Sequence, residues 1–170
     1  QAYGDAGLTR FRRHLVLLKP GTVVVYDDLE ADHPARWSWL LHSARKMTKN
    51  GKLQRLQVKT RTAKGQADLL GSSILTVAVD DQFDPPALNW RKKAWNGKIP
   101  DEYPKQWHAT VSPEGPADKF RYLAIIQVHP VSGEVTFETP AVTETGAVQV
   151  GDWHIEAALD VSRPASLVVR

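Results

Sequence analysis

Imidazole is the side chain whose ordinary pKa lies closest to neutrality, so the six histidines are the first candidates for acid–base or metal chemistry. They are His14, His33, His42, His108, His129 and His154. No two lie within four residues of each other, and neither an HxH nor an HExxH pair occurs, so no local ligand motif exists. Any histidine site must be assembled from distant strands. His42, at the end of a tryptophan-rich segment, is retained as a candidate substrate contact.

The adjacent carboxylates Asp27 and Asp28 are a second candidate, because neighbouring acids raise each other's pKa and suit metal ligation or general-base work. Neighbours on a strand point to opposite faces, however. The expectation is therefore one exposed carboxylate and one accepting backbone donors at a turn. Ser38, Ser43, Ser72 and Ser73 lack a G-x-S-x-G elbow, and the chain has neither a P-loop nor a GxGxxG run.

Carbohydrate recognition has a stronger cue. Tryptophan stacks on the apolar C–H face of a sugar ring, and Trp90, Trp95 and Trp107 lie in or beside an irregular stretch over about residues 80–105. The basic run Arg91, Lys92 and Lys93 interleaves with the first two. Trp90, Trp95, Arg91, Lys92, Lys93 and His42 are the candidate binding residues for an acidic glycan. Loops of that length are usually functional or mobile.

The elements that must position these residues are strands. Apolar residues recur at period two or in short runs, with turn chemistry between them and no sustained helical spacing. Lys19-Pro20-Gly21-Thr22 predicts a turn joining RFRRHLVLL to TVVVYDDL, with Pro fixing φ and Gly taking positive φ. Asn50-Gly51 predicts a two-residue hairpin turn that sets Lys49 opposite Lys52 and Met47 opposite Gln54. Gly151-Asp152 predicts another, with Trp153, Ile155, Ala157 and Leu159 on one face.

Further strands are expected over residues 72–79, 106–111, 119–129, 134–139 and 166–170. Trp37, Trp39 and Leu41 share the expected core face of their strand, and Ser38, Leu40 and His42 the other. Ten to twelve strands in 170 residues imply an all-β, antiparallel two-sheet sandwich of supersandwich type, a single domain over 1–170.

Composition is compatible with such a core: 42% hydrophobic and 24% charged residues, in a length that buries roughly 70% of the unfolded surface. No apolar run approaches the roughly 18 residues of a membrane helix. The absence of cysteine excludes disulfides and thiolate metal sites. The start at Gln1-Ala2-Tyr3, with Met47 the only methionine, reads as a processed or trimmed piece. Net charge is +3, with basic clusters at Arg10/Arg12/Arg13, Arg45/Lys46/Lys49/Lys52 and Arg91/Lys92/Lys93. Such clusters steer polyanions or simply solvate a surface.

The run from Arg12 to Glu30, RRHLVLLKPGTVVVYDDLE, resembles a segment of the heparinase II/III-like polysaccharide lyases, in which an Arg-His strand reaches Lys-Pro and then a hydrophobic strand ending in Asp-Asp-Leu. Trp37-Ser38-Trp39-Leu40-Leu41-His42-Ser43 continues the likeness, and FRYLAIIQ (120–127) is similar to a later core strand of the family. The resemblance is close over about residues 8–45 and looser over 105–130.

The resemblance implies a parent with an N-terminal α/α toroid followed by β-sandwich domains, exported to the periplasm or outside the cell. It implies β-elimination on uronic-acid-containing polysaccharide, in which a base takes the C5 proton, an acid assists the leaving oxygen and the carboxylate is neutralised. The family's catalytic His, Tyr and Asn or Glu lie mainly on the toroid, and its zinc-binding His and Asp precede the Arg-His strand. None of those motifs is present, so no catalytic or metal residue is carried over, His42, Tyr103 and His108 included.

The expected function is thus that of the C-terminal β-sandwich portion of such a lyase, inactive alone, with no cofactor of its own and zinc confined to the upstream part. Its partners would be the toroid and an acidic polysaccharide, not nucleic acid. A non-catalytic carbohydrate-binding module for an acidic glycan and a purely structural domain are the alternatives.

Overall fold

A computed structural model describes residues 7–50, 54–82, 106–132, 136–143 and 146–170. The described residues form thirteen strands and no helix: β1 (Leu8–Leu18), β2 (Thr22–Ala35), β3 (Trp39–Ser43), β4 (Thr48–Asn50), β5 (Arg55–Lys59), β6 (Ala63–Gly71), β7 (Leu75–Asp80), β8 (Trp107–Pro113), β9 (Ala117–Pro130), β10 (Ala141–Val142), β11 (Val148–Val150), β12 (Trp153–Ala157) and β13 (Leu167–Val169). All pairings are antiparallel. They build sheets ordered β1-β2-β9-β6-β5-β4, β3-β8-β7 and β10-β11-β12-β13.

The six-stranded sheet packs twice. Strand alternation sends Val25, Leu29, Phe120, Tyr122 and Ala124 to one face, where they meet Trp39, Leu75, Ala109 and Val111 of the three-stranded sheet. It sends Val24, Tyr26, Leu123 and Ile125 to the other, against Val148, Val150 and Ile155 of the four-stranded sheet. This double burial explains why VVVY and YLAII are continuous apolar runs rather than alternating ones. The architecture is the expected all-β antiparallel sandwich, with a second covered face.

Several local expectations hold and several are corrected. Trp39 is buried, Trp37 and Leu41 pack on the same core, and Leu40 and His42 face outward, as the period predicts. Val150 pairs with Trp153 around Gly151, whose φ is +55°, and Ile155 is fully buried. Trp153, beside the turn, is 38% exposed despite its place on that face.

At the first hairpin Leu18 pairs with Thr22, but the Lys19–Pro20 peptide is cis and Gly21 does not take positive φ. Gly21 is required for space: a Cβ there would stand 2.4 Å from the Val128 carbonyl oxygen, and the Val128 N–H donates to the Gly21 carbonyl at 2.8 Å. In the Asn50-Gly51 hairpin Asn50 pairs with Arg55 and Lys49 with Leu56, so four residues and not two connect the strands. The Lys49–Lys52 and Met47–Gln54 register is thereby overturned. Met47 is instead a core residue.

The strand expected over 134–139 does not form over Thr136–Pro140. Glu138 is held there by a side chain, donating its N–H to Gln127 Oε1 at 2.9 Å and accepting from Gln127 Nε2 at 2.7 Å. Conversely, β6 is an interior strand for which the sequence offers no clear period, because Gln66 and Asp68 are buried in its middle. They are satisfied by neighbours on β5 and by each other: Arg55 Nε to Asp68 Oδ1 at 2.6 Å, Gln66 Nε2 to Asp68 Oδ2 at 2.8 Å and Gln57 Nε2 to Gln66 Oε1 at 2.7 Å.

Candidate functional site

The carboxylates Asp27 and Asp28 are both buried, at 1% and 2% exposure, on opposite faces of β2, so the expectation of one exposed acid is corrected. Asp27 accepts two hydrogen bonds from Arg13, Nε and Nη2 each at 2.7 Å, and this pairing raises the Arg13 pKa. Asp28 is flanked by Arg10 Nε at 2.6 Å and Arg121 Nε at 3.0 Å. These acids fasten strands together.

Arg121 also donates to the carbonyls of Ala158 and Asp160 through Nη1, at 2.9 and 2.7 Å, and to that of Arg163 through Nη2 at 2.8 Å. Tyr26 Oη donates to the Ala158 carbonyl at 2.8 Å. Buried polar groups of the central sheet thus capture the segment between β12 and β13. Burial, the larger effect, together with the Asp28 charge, raises the Tyr26 pKa despite the opposing Arg121 charge.

The histidines are dispersed over all three sheets. His14 is exposed on β1, 5.9 Å from the Tyr26 ring, and His33 pairs with Asp32 at 2.6 Å. His129 packs 5.4 Å from Phe137, and His154 contacts Gln149 and Glu156. Among the described residues no three His, Asp or Glu side chains gather into a metal site.

His42 and His108 are brought together. They are cross-strand partners of β3 and β8, with ring centroids 6.1 Å apart, and His108 Nε2 lies 3.4 Å from Asp80 Oδ1 on β7. Next to them Ser43 pairs with Trp107, and Lys46 Nζ sits 5.0 Å from the Trp107 ring centroid. The turn carrying Arg45 and Lys46 is fixed at one end by Met47 in the core and at the other by the Arg45 N–H donating to Ser43 Oγ at 3.1 Å. Lys49 is committed elsewhere, its ammonium donating to the Val77 carbonyl at 2.7 Å. Below this corner a cavity of about 190 Å³ separates the two sheets, walled mainly by Leu41, Met47, Leu56, Val58, Ala67 and Ile126.

An open groove of about 770 Å³ runs beside β12 and β13, bounded by Leu70, Leu159, His154, Glu156, Asp160 and Arg163 among others. Its charges are internally matched, Glu156 with His154 and Arg170, and Asp160 with Arg163. Ser162, through its hydroxyl and its N–H, holds the Asp160 carboxyl below its usual range. The corner at Lys46 is the better seat for an anion, because among the described residues neither Arg45 nor Lys46 has a carboxylate partner.

Of the candidate binding residues, only His42 can be placed, exposed on the outward face of β3 opposite His108. Trp90, Arg91, Lys92, Lys93 and Trp95, like Tyr103, lie outside the described residues. The pairing of Lys46 with Trp107 had no local signal, since the two are far apart in the chain and meet only through the β3–β8 register. Among the described residues no helix is long and apolar enough to cross a membrane. Comparison with protein-family models finds no match to this chain, and comparison with the curated proteins finds none either.

Proposed function

We propose that this chain is the C-terminal β-sandwich portion of a heparinase II/III-like polysaccharide lyase, and that it holds acidic polysaccharide at the Lys46–Trp107 corner rather than performing the elimination. The family part of this proposal rests on the Arg12–Glu30, Trp37–Ser43 and 120–127 sequences. The binding part rests on one observation: the Lys46 ammonium is stationed over the Trp107 indole, and among the described residues neither it nor the neighbouring Arg45 has a carboxylate partner. A uronate carboxylate or sulfate would meet the Lys46 ammonium there, and the indole limits the freedom the lysine would otherwise lose on binding. The toroid as partner, the periplasmic or extracellular location and zinc in the upstream part belong to the same proposal.

Affinity electrophoresis through gels containing heparin or alginate tests the binding. Retardation is expected, weakened by added salt and strongly reduced in an Arg45→Ala/Lys46→Ala chain. Equal migration of the two chains would remove this corner from the proposal. Incubating the chain with the same polysaccharides while following the ultraviolet absorbance of the unsaturated product is expected to show no turnover. Turnover would place the chemistry in this chain and overturn the inactive assignment. Retention together with an upstream sequence lacking a helical toroid would favour the free-standing carbohydrate-binding module.

A further inference from the structure

The strand β1 is the first strand of the six-stranded sheet and, among the described residues, pairs only with β2. Natural edge strands are usually protected by shortness, proline, a bulge or inward charge, because an open row of N–H and C=O groups accepts another strand. The eleven residues of β1 include neither proline nor glycine, and although the register with β2 shifts between Leu8 and Arg10, it is unbroken from Arg10 to Leu18. One side presents Phe11, Leu15 and Leu17, exposed by 57%, 67% and 67%. Arg13, between them, is turned to Asp27 and lies 5.5 Å from the Phe11 ring.

The other side presents Arg12 and His14, both exposed. Arg10 and Arg13 are neutralised by carboxylates, whereas Arg12 forms no ion pair among the described residues. The edge is therefore an apolar stripe backed by an uncompensated cation. A second copy of the chain fits it badly: β1 carries Arg10, Arg12, Arg13 and His14 but no carboxylate, so two β1 strands paired with each other leave Arg12 without an acid.

We propose that β1 receives an extended segment of another protein as a further strand of the sheet. The segment would alternate apolar residues, lying over Phe11, Leu15 and Leu17, with carboxylates facing Arg12 and His14. Backbone hydrogen bonds would supply affinity and the alternation would supply specificity. This inference goes beyond the glycan corner, which lies on a different sheet, and neither depends on the other.

The test is fluorescence anisotropy of a labelled synthetic peptide of glutamates alternating with valine and leucine, titrated with the whole chain. Saturable binding is expected, weakened about tenfold or more by Arg12→Glu and by Leu15→Lys, two exposed positions whose change leaves circular dichroism unaltered. A peptide of the same composition with glutamates in one block, and the alternating peptide N-methylated at every second amide, are expected to bind at least about tenfold more weakly. Absence of binding by the alternating peptide, or equal binding by the block or N-methylated form, would overturn the proposal. So would a concentration-dependent dimer in sedimentation that Leu15→Lys dissolves, because the occupant would then be a second copy.

Discussion

Arg121 Nε lies 3.0 Å from Asp28 Oδ1, both side chains under 5% exposed, while the rest of that guanidinium donates to three carbonyls between β12 and β13. One side chain thus neutralises an acid inside the central sheet and anchors the segment that follows β12. Arg121→Met is expected to cost about 3 kcal/mol or more, since it leaves Asp28 short of a partner and the carbonyls bare. Arg10→Met, whose side chain is 33% exposed, should cost only about 1 kcal/mol or less. Urea denaturation measures both. Faster proteolysis between residues 158 and 166 in the Arg121 variant alone would show the lost anchor, and equal losses would contradict the assignment.

The buried polar set of β5 and β6 makes a second prediction. Removing Arg55 strands the charge of Asp68, so Arg55→Leu should destabilise by about 3 kcal/mol. Replacing both residues by leucine removes the stranded charge, and the double variant should be at least about 1 kcal/mol more stable than the sum of the single effects. Denaturation midpoints of the four proteins give the coupling directly. Strict additivity would mean that the 2.6 Å contact carries no coupling in solution.

Gly21 gives a steric prediction. A methyl group 2.4 Å from the Val128 oxygen forces β9 and the β1–β2 turn apart, so Gly21→Ala should cost about 1–3 kcal/mol. Gly115 has nothing within 4 Å of the same added atom, and Gly115→Ala should stay within about 0.5 kcal/mol of the unaltered protein. Thermal melts of the pair distinguish close approach from a general dislike of alanine in turns.

Alkaline pH gives the fourth. Burial, and then the Asp27 charge, push the Tyr122 pKa well above the ordinary tyrosine value near 10. In the unfolded chain Tyr122 ionises near pH 10 while in the folded chain it stays protonated, so the folded state holds the extra proton. Stability from this group is complete below about pH 10 and falls as pH rises towards the folded pKa. Tyr122→Phe should flatten the decline of stability with pH above about 10, at the cost of the hydrogen bond to the Val111 carbonyl at 3.2 Å. An unchanged slope would show that Tyr122 is not the group responsible.

The strands and their inward faces were largely legible in the chain. The Trp37–Leu41 face, the Gly151-Asp152 turn and the long apolar strands β2 and β9 follow from period two, turn chemistry and β-branched runs. Where legibility failed, polar side chains were the cause. Gln66 and Asp68 hide an interior strand because their partners come from β5, and Gln127 replaces a strand over 136–140 with a side-chain clamp on Glu138. The Asn50-Gly51 hairpin pairs Asn50 with Arg55, so the dipeptide did not fix its register.

The sequence by itself determined the all-β class, the positions of most strands along the chain and the absence of any local metal or nucleophile motif, because alternation, turns and short-range motifs are written in neighbouring residues. Only the tertiary structure decided that one sheet is covered on both faces, that Asp27 and Asp28 are held by arginines, and that Lys46 comes to rest over Trp107. Each of those depends on residues distant in the chain being set opposite one another by strand register and sheet packing, and no spacing along the chain encodes such a meeting.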